Sequence, residues 1–380
     1  MATKIGFVGA GNISDIYLRN ITNLFKEIEV IGVCDLIRER AVKAAAKYAI
    51  PKIYDDMHAL FADPDVDLVL NITRPYQHHE VTKAALLAGK PVYTEKPLAV
   101  DLTEADELLA IAKEKNLLLG NAPDTFLGAG IQGCRCLIED DIIGEPIGAA
   151  AHMICHGHET WHTDPAFYYK RGGGPMMDMG PYYITALINL MGPVAGVMGM
   201  TKITYPTRTI TAPPHCGEVI NVDIPTYVTG LIRFKSGAVA TIFTTFDAYS
   251  VPGVQPIEIY GTKGNMLVPD PNDFGGTISV KIGEKNSPDA ADAIGHGDWI
   301  SIDTPYEFYS GNSRALGLAD MAKALQTGRK PRANAEQAYH VLEVLTAFQK
   351  SSESGREVAI QSTFELQPPM PIVSEEGVIA

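Results

Sequence analysis

The chain has 380 residues, 46% of them apolar and 20% charged, and carries a net charge of −14. That length exceeds what one hydrophobic core usually supports, so it predicts about two domains with the composition of an ordinary soluble globular protein. The acidic balance, with no basic cluster to offset it, excludes nucleic acid and anionic membrane as partners, and apolar runs stop short of the roughly 20 residues that a span needs.

No basic-then-apolar leader precedes the first strand-like run, Ile5 to Val8, so a cytoplasmic location is expected. From residue 4 to 120 short β-rich runs alternate with helical patterns. KIGFVG, EVIGVCD, VDLVLNIT and PVYTEKP read as strands, and the intervening helices imply a parallel sheet with right-handed crossovers. Gly9-Ala10-Gly11-Asn12-Ile13-Ser14 follows the first strand and opens a helix, which fits the dinucleotide fingerprint with serine as its third small residue. Gly9 permits the tight turn, and Gly11 lets a pyrophosphate approach the backbone over the positive end of the helix. Asp35 closes the second strand, where a carboxylate accepts bonds from ribose hydroxyls and repels a 2′-phosphate, favouring NAD over NADP.

From about residue 123 the pattern changes. The stretch AHMICHGHETWHTDPAFYY crowds His152, His156, His158 and His162 together, and on a strand the first three share one face. No ordered carboxylate or thiolate completes a ligand set with them, so no metal is expected. The five cysteines (Cys34, Cys134, Cys136, Cys155, Cys216) lack paired metal spacing and read as free thiols of a reducing compartment. GGGPMMDMGPYYITALINLMG opens a buried helix yet places Asp178 and Tyr182 four apart in an apolar run, where they share a face. Either the two face a ligand cleft, or the tyrosine is buried with its hydroxyl bonded to Asp178. Pro181 removes a backbone bond there and bends the helix. YVTGLIRF with AVATIFTTF, and PIEIYG with NMLVP, read as hairpins; TISVKIG and WISID add strands to a largely antiparallel sheet. Helices near Arg314–Gln326 and Glu336–Ser351 follow, and QPPMP reads as an extended, unstructured tail.

Together GAGNIS, TRPYQH, YTEKPLA, GGGPMMDMG and GRKPRANAEQAYHVLEVL resemble, over nearly the whole chain, the Gfo/Idh/MocA oxidoreductases, which act mainly on sugars, inositols and related polyols. The resemblance implies a Rossmann dinucleotide-binding domain over 1–122 and a substrate-binding α+β domain over 123–365 with a large, mostly antiparallel sheet. The C-terminal helix would pack back on the first domain, and 366–380 would form the tail. It implies that Lys96, before a cis Pro97, lies between nicotinamide and substrate. Thr73, Pro75 and His78 match the loop beneath the nicotinamide half, and Glu95 its neighbour. With Gly9, Gly11, Asn12, Ile13 and Asp35 these make the expected cofactor set. Asp178 matches the family's catalytic aspartate, while Tyr182 stands where a histidine is usual. A phenol with a pKa near ~10 is a poor base unless a cation such as Lys96 lowers it.

The expected activity is therefore hydride transfer between NAD(P) and a secondary hydroxyl or ketone of a sugar, polyol or glycoside, with Lys96, Asp178 and Tyr182 catalytic. His158, Trp161 and His162 would form part of a polyol pocket, since imidazoles bond hydroxyls and an indole suits a pyranose face; a polar strand edge with one buried tryptophan is the other reading. Two further functions stay open: redox-neutral glycoside cleavage with tightly held NAD, and a non-catalytic nucleotide-sensing role. The resemblance also implies a homodimer or homotetramer formed through the C-terminal sheet.

Overall fold

The computed structural model describes residues 2–283, 298–306, 309–372 and 379. It forms two compact units. The first comprises Met1–Leu127, Ser313–Glu343 and Phe364–Ala380; the second comprises Gly128–Asn312 and Val344–Thr363.

The first unit is built on a six-stranded parallel sheet of β1 (Thr3–Val8), β2 (Ile28–Cys34), β3 (Lys52–Ile53), β4 (Leu68–Asn71), β5 (Val92–Thr94) and β6 (Leu119–Asn121). Their order is β3-β2-β1-β4-β5-β6. Every residue of β4, β5 and β6 is buried, as expected for central parallel strands covered on both faces. The strand order reverses between β1 and β4, and in such sheets ligands bind beyond the carboxyl ends at that switch. Helices Ser14–Asn23, Arg38–Tyr48, Met57–Ala62, His78–Leu87 and Leu102–Glu114 make the crossovers. The last begins at Asp101, whose carboxylate accepts from the Glu104 amide at 3.0 Å and so satisfies one of the helix's orphan donors.

Helix Leu316–Thr327 belongs to this unit, and its start is held by Asp124, whose Oδ2 accepts from the amides of Ala315 (3.0 Å) and Gly317 (3.1 Å). The proline-rich tail is extended but anchored rather than loose. Arg332 donates from Nε to the carbonyls of Pro368 and Pro369 at 3.0 and 3.2 Å, and Met370 is buried. The guanidinium's fixed fork of donors explains why a segment without a ladder of its own stays in place.

The second unit holds, among the described residues, a nine-stranded sheet: β7 (Pro146–Ile154), β8 (Val194–Lys202), β11 (Tyr227–Phe234), β12 (Val239–Thr245), β13 (Ile257–Gly261), β14 (Gly264–Val268), β15 (Ile278–Ile282), β16 (Ile300–Ile302) and β17 (Val358–Ala359). The ladder between β9 (Thr207–Thr209) and β10 (Val219–Asn221) stands apart from it. In the order β16-β15-β14-β13-β7-β12-β11-β8-β17 only β7 and β12 run parallel, so the sheet is mostly antiparallel. Both expected hairpins are present, as β11–β12 and β13–β14. Helix Gly180–Met191 is buried along its whole length, which matches its largely apolar sequence, and the buried Asn189 amide donates to the Thr185 carbonyl at 2.8 Å. On the strands, buried residues alternate with exposed ones such as Met198, Met200, Leu231 and Val239, so the sheet keeps one open, partly apolar face.

Candidate active site

In the first unit the predicted cofactor residues gather at the carboxyl ends of β1, β2, β4 and β5. Gly9 has φ +98°, a conformation that favours glycine, and a Cβ there would lie 3.1 Å from the backbone of Ile72. Gly11 differs: a Cβ built on it meets no protein atom within 4 Å, so nothing in the protein itself excludes a side chain there. The space it leaves open lies just before helix Ser14–Asn23, whose first turn is fixed by the Ser14 hydroxyl donating to the Gly11 carbonyl at 2.7 Å. Asp35 accepts from the Ala10 amide (2.6 Å) and the Ile37 amide (2.7 Å), one on each oxygen. A carboxylate has about four acceptor positions, so it retains capacity for ribose hydroxyls. These residues fit a dinucleotide: an open glycine cradle, a helix start, and an acid on the second strand.

The loop after β4 and the turn after β5 are tied together from within. His78 is 1% exposed, and its Nδ1 lies 2.7 Å from the Pro97 carbonyl and its Nε2 3.0 Å from that of Thr73. Burial pulls its pKa below the usual imidazole value, against the pull of the Pro97 carbonyl. Both ring nitrogens therefore face protein carbonyls, and His78 braces the cofactor loop. His79 pairs instead with Glu107 at 2.7 Å. Thr73 is held by the buried Asn71, its hydroxyl donating to Oδ1 at 2.7 Å, and Pro75 opens the short helical turn that leads into His78–Leu87. Glu95 is buried, accepting from the Tyr17 hydroxyl at 2.6 Å and from the Lys96 amide at 2.9 Å. Burial first, and Glu95 next, push the Tyr17 phenol well above its ordinary range. The Lys96–Pro97 peptide is cis, and Lys96 is half-buried at the end of β5. Two supports here carry no local sequence signature: Tyr17, and Asn121, whose amide donates to the carbonyls of Thr94 and Glu95 at 3.0 Å each.

The second unit gathers the predicted substrate residues. Strand β7 ends at Ile154, so His156 and His158 lie on a loop and the expected strand face holds only His152. His158 packs edge-on to Trp161 (5.3 Å) and Phe246 (4.6 Å) and at a tilt to Tyr168 (4.2 Å). His162 lies 5.3 Å from both Trp161 and Tyr168. Trp161 is 60% exposed and is no buried strand-edge residue. Asp178 joins this group, its Oδ2 3.5 Å from His158 Nε2.

The helix carrying Asp178 is broken. Pro175–Asp178 and Gly180–Met191 meet at Met179, and the Tyr182 amide bonds the Met179 carbonyl at 3.0 Å. Met179 itself keeps right-handed helical dihedrals (φ −102°, ψ −28°), so the chain continues to turn through the junction, and Pro181, which has no N–H, is the sequence feature that interrupts its hydrogen bonding. Tyr182 is 6% exposed.

Beneath the loop lies a buried charge cluster that the sequence did not reveal. Arg208, on β9, donates to Glu159 (2.8 Å), to Asp247 (2.5 Å) and to the Phe246 carbonyl (2.7 Å). Glu159 also accepts from the Tyr169 hydroxyl, and Asp247 from Thr226 at 2.8 Å. Burial and then Glu159 raise the Tyr169 phenol far above its usual range. Glu159 adjoins His158 and Phe246 packs on it, so Arg208 sets the position of both.

Two family models match the chain: "Oxidoreductase family, NAD-binding Rossmann fold" over residues 3–122 and "GFO/IDH/MocA C-terminal domain" over residues 131–267. The myo-inositol 2-dehydrogenase of Thermotoga maritima is 25% identical over 285 residues, 75% of this chain and 80% of that protein. The trans-1,2-dihydrobenzene-1,2-diol dehydrogenase of Mus musculus is 29% identical over 265 residues, 70% of this chain and 74% of its own. Among solved structures, levoglucosan dehydrogenase in its apo form shares the fold with a TM-score of 0.80 at 20% identity, over 96% of this chain and 100% of that one. With its nucleotide loops matched by one model and its sheet domain by the other, the chain belongs to the Gfo/Idh/MocA oxidoreductases, and NAD is the cofactor of its first domain.

Proposed function

We propose that this enzyme transfers a hydride between NAD and a secondary hydroxyl or ketone of a sugar, polyol or glycoside. The observation that carries the reading is the cluster in the second unit: a carboxylate, two imidazoles and an exposed indole, all hydrogen-bonding or stacking groups suited to a polyhydroxylated ring. The names of its relatives agree, since they include an inositol dehydrogenase and solved complexes of levoglucosan dehydrogenase with NADH and levoglucosan.

Gly9, Gly11, Asn12, Ile13 and Asp35 would hold the dinucleotide, with Thr73, Pro75, His78 and Glu95 shaping the nicotinamide end, and Asp35 disfavours NADP. Bound NAD supplies the two-electron acceptor. Lys96 polarises the reacting oxygen by its charge, and Asp178 orients the groups around it. His158, Trp161 and His162 hold the substrate, with Trp161 offering its face to the C–H side of the ring. Two groups compete for the hydroxyl proton: Tyr182 by its position in the family pattern, and His158 by its place beside Asp178.

Absorbance at 340 nm, with NAD or NADP and a panel of aldoses, inositols and glycosides, tests the proposal. A rise with one substrate class and NAD supports it. NAD that co-purifies without exchanging, with glycoside loss but no rise, would replace it with redox-neutral cleavage. NAD binding without turnover, unaffected by Lys96→Ala, would make the protein a nucleotide sensor.

The open sheet face, with Met198, Met200, Leu231 and Val239 exposed, favours a homodimer or homotetramer through that sheet, which light scattering would measure. The buried free thiols Cys34 and Cys134 suit a reducing, cytoplasmic setting. No described helix is long and apolar enough to cross a membrane.

A further inference from the structure

We infer that the second unit binds two linked rings: the reacting sugar beside His158 and Trp161, and a second sugar ring, glycosidically joined to it, on Tyr249. The inference rests on the dehydrogenase reading above and narrows its substrate class to a disaccharide or a comparable glycoside.

The loops after β7 and β12 leave the sheet together, because the two strands run parallel and pair Ile154 with Thr245 at their ends. Beyond that exit the first loop turns at Gly157, whose φ is +83°. A Cβ there would run into the Glu159 carboxylate and the Tyr169 hydroxyl, so glycine lets the loop lie this close to the Arg208 cluster. The turn sets two imidazoles in different surroundings. His158 enters the group of Trp161, Tyr168 and Phe246. His156 instead stacks face to face on Tyr249, with ring centroids 4.0 Å apart and planes 16° from parallel. It also meets Tyr205 edge to face at 6.4 Å.

Tyr249 is 75% exposed, so its outer face is open, yet its inner face is held by the imidazole. Such backing pre-sets an exposed ring for a ligand, because a ring already held loses little freedom on binding. His156 Nδ1 is buried without a hydrogen-bond partner, so ring contacts rather than a bond at that nitrogen place the imidazole. Tyr205 is braced in turn by Arg208, whose guanidinium lies 4.9 Å from the centre of its ring. Arg208 also bonds the Phe246 carbonyl and the Asp247 carboxylate, on the segment that leads to Tyr249. One buried cation thus anchors Phe246, against which His158 packs, and Tyr205, against which His156 packs.

Chemistry and spacing name the occupant. Phenol and imidazole rings join an apolar face to a polar rim, which matches a pyranose with its C–H face and its rim of hydroxyls. Two residues of chain reach at most about 7 Å, the scale on which linked sugar rings follow one another. The aliphatic face of the sheet, with Met198, Met200, Leu231 and Val239, offers no such rim and suits a second copy of the chain instead.

The test pairs single rings with glycosides: glucose with maltose and cellobiose, galactose with lactose and melibiose, and myo-inositol with galactinol. Turnover is followed at 340 nm with NAD, and the methyl glycosides control for the anomeric substituent alone. One two-ring substrate should exceed its single ring in kcat/KM. Tyr249→Ala should lower that ratio roughly three- to tenfold, the size of one aromatic contact, and Tyr249→Phe should keep most of it. A wild-type ratio near one, a methyl glycoside as good as the disaccharide, or a ratio untouched by Tyr249→Ala overturns the inference and leaves the dehydrogenase reading standing. A fall in particle mass of Tyr249→Ala by light scattering assigns the ring to a subunit contact and also overturns it. With no turnover of any sugar the dehydrogenase reading falls, and titration calorimetry of the same disaccharides into NAD-loaded protein decides the second-ring site alone. Binding that Tyr249→Ala abolishes supports the site; binding absent from wild type, or equal in the variant, rejects it.

Discussion

The nucleotide loops of the first unit and the substrate loop of the second hold their acids in different ways. Around the nucleotide loops, carboxylates are held by backbone amides and a phenol. Asp35 takes the amides of Ala10 and Ile37, Glu95 that of Lys96 with the Tyr17 hydroxyl, and Asp124 those of Ala315 and Gly317. Under the substrate loop, Glu159 and Asp247 share one guanidinium, Arg208. Amide-held acids fix the local path of a turn and depend on single-residue geometry. A shared guanidinium clamps segments far apart in the chain and fails as a whole. The first arrangement suits a cofactor of constant shape; the second lets the loop that carries His158 and Trp161 vary around one anchor.

Removing the anchor should have the largest effect. Arg208→Ala leaves two buried carboxylates without their cation, and truncating one partner of such a group costs about 3–5 kcal/mol. Denaturant unfolding of the variant should show that loss, and the surviving folded enzyme should have a raised KM because Glu159 and Phe246 no longer position His158. A loss under about 1 kcal/mol, the range of exposed pairs, would mean that the charges are not clamped as described.

The backbone-built site should fail by a different route, and two glycines separate its causes. Gly9→Ala places a Cβ at φ +98° and 3.1 Å from Ile72, so it should cost stability of about 1–3 kcal/mol as well as NAD affinity. At Gly11 a Cβ meets only open space, so Gly11→Val should leave Tm near wild type while NAD affinity falls. Equal melting losses in the two variants would show that Gly11 serves the fold and not the cofactor.

This contrast also explains which parts were legible in the sequence. Strand, turn, helix and terminal acid are set by neighbouring residues, so GAGNIS and Asp35 could be read in order. The hairpins were legible for the same reason. Arg208 was not, because its partners lie 49 and 39 residues away and a lone arginine in TRT carries no pattern. The interruption at Met179 was legible, because Pro181, which has no N–H, announced it. The histidine run misled because strand alternation was extended past Ile154, where the ladder stops. The tail QPPMP looked unstructured because its anchor, Arg332, lies 36 residues upstream of Pro368.

The smallest expected effect concerns an acid held by amides alone. Asp124 is buried, and burial lifts its carboxyl to about 6, with Glu95 adding to the rise while the Gly317 amide and Arg314 oppose it. Between the ordinary aspartate value of about 4 and this raised one, the folded protein keeps a proton that the unfolded chain has lost. Stability from this group is therefore fully present below the lower value and is lost as pH rises through the upper. One group binds at most one proton, so the slope cannot exceed about 1.4 kcal/mol per pH unit. Asp124→Asn keeps a carbonyl oxygen to accept from Ala315 and Gly317 but cannot ionise. Unfolding of wild type and variant at pH values from 4 to 7 should show the wild type losing stability relative to the variant as pH rises, with the difference levelling above about 6. Parallel curves would mean that the amides already hold the carboxylate ionised at low pH, and that amide-held acids cost the first unit no more than the guanidinium clamp costs the second.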